Sequence, residues 1–421
     1  MPTRSKRILT PARFLAGFAA CLLMLACTAT ARSESDLSTS LVQSNTYFGI
    51  ELFSVLAQDS PDGNLFLSPY SISTALAMTW AGAEGATARQ MADVLGFALP
   101  EEEVHGQFAD LQQKLGPEYR QQYMMGSGDP LTLEVANAIW AQESYPLLPE
   151  FVSLLQDKYG AEARNVDFVG DAEGARGEIN AWVEEKTRDR IQNLLPRGSV
   201  DAMTRMVITN AVYFKGSWSE PFSEDATTRE DFHLADNTTA EVPMMHQTEE
   251  LAYAEAAGCR AVELPYADNM SSMLVLLPDG DLSEFEQDFS TETLDEIAAE
   301  MQSREVVLSM PSFEFTSSFG LSQTLKSMGM IDAFEPGQAD FTGMTEAREL
   351  YISAVIHKAF VKVDEEGTEA AAATAVVMAL TSMPPQLQRV ELVLDRPFLF
   401  LIRDRVTGSV LFMGRMADPS A

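Results

Sequence analysis

Apolar residues recur every three or four positions in "NTYFGIELFSVLAQ", Asn45 to Gln58, which places them along one face of a helix. "SPDGN" is a turn, and "NLFLSPYSISTALAMTWAGAEGATARQMADVLGF" reads as a short strand and two helices. Pro69 opens the first of these helices, at a position whose N–H has no partner within the helix. "LTLEVANAIWAQ" is an apolar run of strand length, and "LPEFVSLLQDKYGAEARNVDF" is a helix and then a strand. "ARGEINAWVEEKTRDRIQNLL" is a further helix, closed by Pro196. From Val207 the pattern changes to strands separated by turn residues: "VITNAVYFKGSW", "EVPMMHQ", "LAYAEAAGCRAVELPY", "SSMLVLLPDG" and "EVVLSMPSFEFTSSF". Helices return at Leu282 to Gln302 and at "LSQTLKSMG"; the chain closes with the strands "HKAFVKVDEE", "RVELVLDRPFLFLIRD" and "SVLFMGRM". There is no internal repeat and no linker-like stretch within this region. Helices first and strands later predict one large α+β domain over residues 42–419, preceded by a flexible polar linker, 32–41.

The start of the chain has a different pattern. Arg4, Lys6, Arg7 and Arg13 precede "FLAGFAACLLMLAC", Phe14 to Cys27, an apolar run too short for a membrane span. "ATA", Ala29 to Ala31, is a small-x-small cleavage site, so residues 1–31 are expected to be an export signal that is removed. A second reading stands beside it: "LMLAC" resembles a bacterial lipoprotein cleavage box, in which Cys27 would carry the lipid. Both predict export, to the extracellular space or periplasm, with a membrane contact only through that anchor.

Charge narrows the partners. A formal net charge of −33 repels nucleic acid and other polyanions, and no basic cluster offers a heparin-type site. Of Cys21, Cys27 and Cys259, only the last lies in the domain, so no intrachain disulfide is expected. None of the four histidines sits in a metal-binding spacing, and there is no nucleophile elbow, phosphate loop or dinucleotide fingerprint. No metal, cofactor or catalytic residue is therefore expected. The one enzyme reading left is a hydrolase in which folding pairs Cys259 with a histidine.

One stretch is at odds with itself. "VDEEGTEAAAATAVVMALTSMPPQLQ", Val363 to Gln388, sets four alanines, strong helix formers, beside a β-branched run that favours strands. In an extended chain one face carries Thr368, Ala370, Ala372, Thr374, Val376, Met378 and Leu380, with no charge among them. The other face begins at Glu369 and continues with Ala371, Ala373, Ala375 and Val377. On these residues alone, helix and strand both remain open.

"VDEEGTEAAAATAVV" resembles the reactive-loop hinge of the serpins, the serine protease inhibitors. "LSPYS", "ITNAVYFKGSWSEPF", "VPMMHQ", "ADFTGM", "ISAVIHKAFVKVDEEGTEA" and "DRPFLFLIRDRVTGSVLFMGR" also resemble blocks of that family, and they occur in the family's order. The likeness runs from about Leu41 to Pro419 and is to inhibitory members of bacterial type. It implies a large central sheet, two smaller ones, about nine helices and an exposed reactive loop. It also implies a monomeric suicide inhibitor in a metastable native state. A serine protease cuts the loop, and the acylated loop then inserts into the central sheet and carries the protease with it. The uncharged alternation from Thr368 fits a segment that must be buried as a strand. About 15 residues at roughly 3.3 Å each would move the partner about 50 Å.

The resemblance implies site residues one by one. Glu365, Glu366, Gly367, Thr368, Glu369, Ala370, Ala371, Ala372 and Ala373 match the hinge, with Gly367 supplying free backbone angles. Ser68, Ser71, Asn210 and His357 match a polar cluster that controls sheet opening, and Trp218 matches a tryptophan where the loop enters. The family spacing places the reactive bond between Thr381 and Ser382, with Leu380 and Met378 as alternatives. No Lys or Arg lies between Lys362 and Arg389, which points to elastase-, subtilisin- or chymotrypsin-like targets rather than trypsin-like ones. The chain departs from the family at Ser312, where a lysine often pairs with the hinge glutamate. Two other functions remain: inhibition of papain-like cysteine proteases, and a serpin-fold binding protein that does not inhibit.

Overall fold

The computed structural model describes residues 41–123, 131–368 and 387–421. The expected export signal, most of the linker, Glu369 to Ala373, and the reactive-bond residues Met378, Leu380, Thr381 and Ser382 lie outside them.

Helix α1 (Leu41–Asp59) buries Phe48, Leu52, Phe53 and Leu56, the stripe foreseen from its spacing. Strand β1 (Leu65–Leu67) leads into α2 (Pro69–Trp80), whose residues are all buried. Its four buried hydroxyl residues, Ser71, Ser73, Thr74 and Thr79, sit among apolar ones, and α2 packs under both sheets. Its cap Ser68 accepts a hydrogen bond from the Ser71 N–H (3.1 Å). Then come α3 (Gly85–Leu95), α4 (Glu101–Leu115) and α5 (Pro117–Tyr123). The expectations passed over α4, although Val104, Phe108, Leu111 and Leu115 carry helical spacing and are buried.

The first sheet contains β2 (Thr132–Gln142), β3 (Glu162–Val166), β4 (Met206–Ser217), β10 (Phe313–Gly320), β11 (Ala354–Val363) and β12 (Gly367–Thr368). Their order is β10-β11-β12-β4-β2-β3. Helices α6 (Pro149–Tyr159) and α7 (Phe168–Lys186) flank β3 in sequence. Ile179 and Trp182 of α7 pack with Trp140 of β2 and with Val207 and Ala211 of β4, forming a second core apart from the main one. Strands β2 and β4 are thus covered on both faces, which explains their nearly continuous burial.

The second hydrogen-bonded system has nine strands: β1, β5 (Thr228–His233), β6 (Thr239–Ala256), β7 (Cys259–Pro265), β8 (Ser271–Pro278), β9 (Gln302–Pro311), β13 (Arg389–Val393), β14 (Phe398–Asp404) and β15 (Val410–Met416). Its 18-residue β6 pairs with β5 at one end, with β9 over Met244–Tyr253, and with β7 at the other end. The two smaller sheets of the expected three share β6 and run into one another through it. Helices α8 (Leu282–Asp288), α9 (Thr291–Glu300) and α10 (Ser322–Ser327) bring the count to ten among the described residues.

One expected strand divides. "EVVLSMPSFEFTSSF" ends β9 at Pro311 and begins β10 at Phe313, in a different sheet. At the crossing, the Ser312 N–H donates to the Pro243 carbonyl (3.0 Å). Proline has no N–H to carry a ladder onward, so the apolar run can continue while the pairing changes partner. Likewise, the predicted helix to Gln302 ends at Glu300.

Candidate functional site

Strands β4 and β11 run parallel, with register pairs from Ala354↔Val207 to Ala359↔Val212. There the two diverge, and the short β12 fills the fork. Thr368 pairs with Val363 on one side and Gly216 on the other, and Gly367 pairs with Ser217. The hinge expected from the sequence therefore begins as a strand already seated between the two central strands. Close approach requires the glycines here. A Cβ on Gly367 would collide with the Gly216 carbonyl and sit 2.7 Å from Ser217 Cα; one on Gly216 would sit 2.9 Å from the Tyr266 ring.

A tight turn joins β11 to β12. The Asp364 N–H donates to the Gly367 carbonyl (2.9 Å), and Asp364 Oδ1 accepts from the N–H groups of Glu366 (3.1 Å) and Gly367 (3.2 Å). The segment after β4 grips this turn. Trp218 donates its backbone N–H to the Glu366 carbonyl (2.9 Å) and its indole N–H to the Asp364 carbonyl (3.0 Å). Phe222 N–H donates to the Glu365 carbonyl (2.8 Å), and the Thr227 hydroxyl donates to Glu365 Oε1 (2.6 Å). Trp218 stacks on Tyr266 at 4.8 Å with 9° between the rings, and the Tyr266 hydroxyl bonds Thr368 Oγ1 at 2.8 Å. Thr368 is buried. Burial also raises the Tyr266 phenol far above its ordinary pKa, so it stays a neutral hydroxyl.

Ser68, Ser71, Asn210 and His357 come together below the fork, all fully buried. His357 and Asn210 are register partners across the β4–β11 pairing. His357 Nε2 accepts the Ser68 N–H (3.3 Å), so the ring proton is on Nδ1, which bonds Asn210 Oδ1. Asn210 Nδ2 donates to Ser71 Oγ and to Asn137 Oδ1. Asn137 Nδ2 donates to the Ser71 carbonyl (3.1 Å), and Ser68 Oγ donates to the Leu411 carbonyl (2.7 Å). Desolvation lowers the His357 pKa from 6.5 to about 3, which keeps the ring neutral. The network ties β2, β4, β11, α2 and β15 together through buried polar groups.

Sequence reasoning missed Asn137, Thr227 and Tyr266. An asparagine inside the apolar run "VANAIW" was the available signal for the first; a buried amide must be bonded, so its presence marks a network. The other two had no local signal. Ser312, which stands where a lysine was expected, borders β10 at the end of its pairing with Val363. Cys259 is a poor nucleophile: its thiol donates to the Ala256 carbonyl (3.4 Å), and burial, with the charges of Asp279 and Glu296, pushes it up to about 12. Among the described residues, no three His, Cys, Asp or Glu side chains are placed to hold a metal.

Comparison with known proteins identifies the family that carries this arrangement of strand, tryptophan and polar network here. A family profile described as Serpin (serine protease inhibitor) covers residues 43–419. The leukocyte elastase inhibitor of Homo sapiens is 39% identical over 389 residues, 90% of this chain and 99% of that protein. The Bos taurus protein of the same name is 40% identical over the same shares. Among solved structures, human thyroxine-binding globulin superposes with a TM-score of 0.80 at 30% identity, covering 90% of this chain and 98% of that one. Native protease nexin-1, solved with heparin, gives 0.79 at 31%, covering 90% and 99%. The chain belongs to the serpin family.

Proposed function

We propose that this protein is an exported suicide inhibitor of serine endopeptidases. One observation carries the reading: the first two loop residues, Gly367 and Thr368, already form the first rung of a strand between β4 and β11. The segment that continues them offers an uncharged face at every second position down to Leu380. A protease serine attacks the loop carbonyl, at Thr381 by the family spacing. The peptide bond to Ser382 breaks, the new amine leaves, and an ester joins Thr381 to the enzyme. Freed at that end, the loop advances from Thr368 between β4 and β11, through the Asn210–His357 contact. A buried polar network suits such a seam, because its members can exchange partners where an interlocked apolar core would have to be torn open. Trp218 and the hinge from Glu365 fix where the strand starts, and the polar cluster holds the seam shut until then.

The similarity to inhibitors named for leukocyte elastase supports an elastase-like target, and so does the lack of Lys or Arg in the loop. Subtilisin- and chymotrypsin-like proteases are the next choices. The basic, apolar start of the chain supports export. Mixing with elastase is the test. A complex that survives SDS, and a melting temperature that rises sharply after loop cleavage, are the expected results. Clean cleavage without a complex, repeated with subtilisin, chymotrypsin and papain, would overturn the reading in favour of a binding protein.

A further inference from the structure

The seated rungs fix where an inserted loop would run. Thr368 stands opposite Gly216 on β4 and Val363 on β11, and β12 is antiparallel to both. The closed seam keeps the same offset between its strands, from Ala354↔Val207 to Ala359↔Val212. One strand can therefore stay in step with both partners down the whole seam, one residue per rung. Counted on in that register, Met378 falls opposite Met206 and Ser353, Leu380 opposite Thr204 and Tyr351, and Thr381 opposite Met203 and Leu350.

A cavity of about 310 Å³ opens at that foot of the seam, lined by Met203, Thr204, Tyr351, Ile352, Ser353 and, from α10, Gln323. Hydrogen bonds cross the same place. Ser353 N–H donates to the Met206 carbonyl (2.8 Å), Arg205 N–H to Ser353 Oγ (2.9 Å), and the Tyr351 hydroxyl to the Met203 carbonyl (3.0 Å). The first two stand level with Met378 and Ala379. The Tyr351 bond lies across the rungs of Leu380 and Thr381.

We infer that this cavity is the seat of the inserted loop's end, Leu380–Thr381, and that Tyr351 is the bolt across it. The inference rests on the inhibitor reading for its use, not for its geometry. The bolt is one neutral hydrogen bond from a side chain at the surface, weak enough to part without disturbing either strand. A strand that stops above it ends level with the Ser353–Met206 bond; one that passes it gains the seat. There the hydroxyls of Thr204 and Ser353 and the amide of Gln323 can meet the backbone groups of a chain end that has run past its ladder.

The experiment uses the full chain and two synthetic peptides, first without protease. One peptide carries the sequence Thr368–Thr381; the other stops at Met378. Both should anneal between β4 and β11, and the longer should stay bound several-fold longer. Gln323→Trp fills the cavity from an exposed position of α10. It should abolish that difference and leave retention of the shorter peptide unchanged. Tyr351→Phe should speed entry of the longer peptide several-fold and leave entry of the shorter unchanged, whereas a general loss of stability would speed both. Equal retention of the two peptides by the wild type, a Tyr351→Phe effect shared by both, or binding of neither would overturn the inference. If Gln323→Trp does not fold, the Tyr351→Phe comparison decides. With elastase, Gln323→Trp should raise the stoichiometry of inhibition several-fold while the loop is cut as fast as in the wild type; an unchanged stoichiometry would also overturn the inference. If the wild type forms no complex with any protease yet holds the longer peptide better, the inhibitor reading fails and the seat stands.

Discussion

The two sheet systems are built on opposite principles. In the nine-stranded one, β8, β14 and β15 pair antiparallel, and aromatic rings of both sheets interlock beneath them. Phe66 stacks on Phe412 at 4.9 Å and on Phe400 at 5.8 Å, and both faces of β14 are buried. In the six-stranded sheet, β4 and β11 meet along a parallel seam in which a buried histidine stands against a buried asparagine. Apolar interlocking gives cohesion that grows with area and resists any shift. A polar network under a seam gives cohesion that depends on a few bonds with defined geometry. On the proposed mechanism the difference marks where this molecule stays closed and where it parts.

The largest effect should come from Thr368→Arg. Position 368 is buried against Tyr266, and a guanidinium there has no counter-charge among its contacts. The seam would refuse the strand, and assays with elastase should show cleavage in place of a stable complex. Unchanged inhibition would contradict the comparison. Next, Leu401→Ala in β14, fully buried, should cost roughly 2–5 kcal/mol of stability by denaturant melts. It should not hasten spontaneous opening of the other sheet. Asn210→Ala should cost about 1–3 kcal/mol by leaving His357 and Asn137 short of partners, and it should hasten opening, read as loss of inhibitory activity on incubation. Equal opening rates in the two variants would erase the distinction.

Smaller per unit of pH is an effect confined to the seam. His357 binds a proton in the unfolded chain below about pH 6.5 but in the folded chain only near pH 3. Between those values the unfolded state holds more protons, so stability falls as pH falls, by about 1.4 kcal/mol per pH unit from this group. In His357→Gln that part of the slope should vanish; a wild-type slope kept in the variant would assign it elsewhere. The least effect is expected at Cys259. Iodoacetamide at neutral pH should leave both stability and inhibition unchanged, since the thiol is buried and protonated.

Much of this was legible in the sequence for a local reason. Strand β11 alternates buried and less buried residues along its length, the period-two pattern expected of "HKAFVKV". The stripe of α1 and the proline that opens α2 were equally local. The β9–β10 division was not, because a switch of pairing partner leaves the apolar pattern intact and only Pro311 hints at it. Thr227 and Tyr266 were invisible for a further reason. Their partners lie 138 and 102 residues away, and nothing near either residue announces the contact. The polar cluster was reached through family likeness, whereas Asn137 could have been reached by physics alone.

The parallel seam has a consequence for timing. On the proposed mechanism an advancing loop strand would undo the six register pairs from Ala354↔Val207 to Ala359↔Val212, one after another. Each step removes one contact between β4 and β11 and makes two, one on each side of the newcomer. Progress is therefore a ratchet: every rung makes retreat harder than advance. On that mechanism the attached enzyme's own hydrolysis would be the competing clock, and the length of the seam would set how many ticks it is allowed.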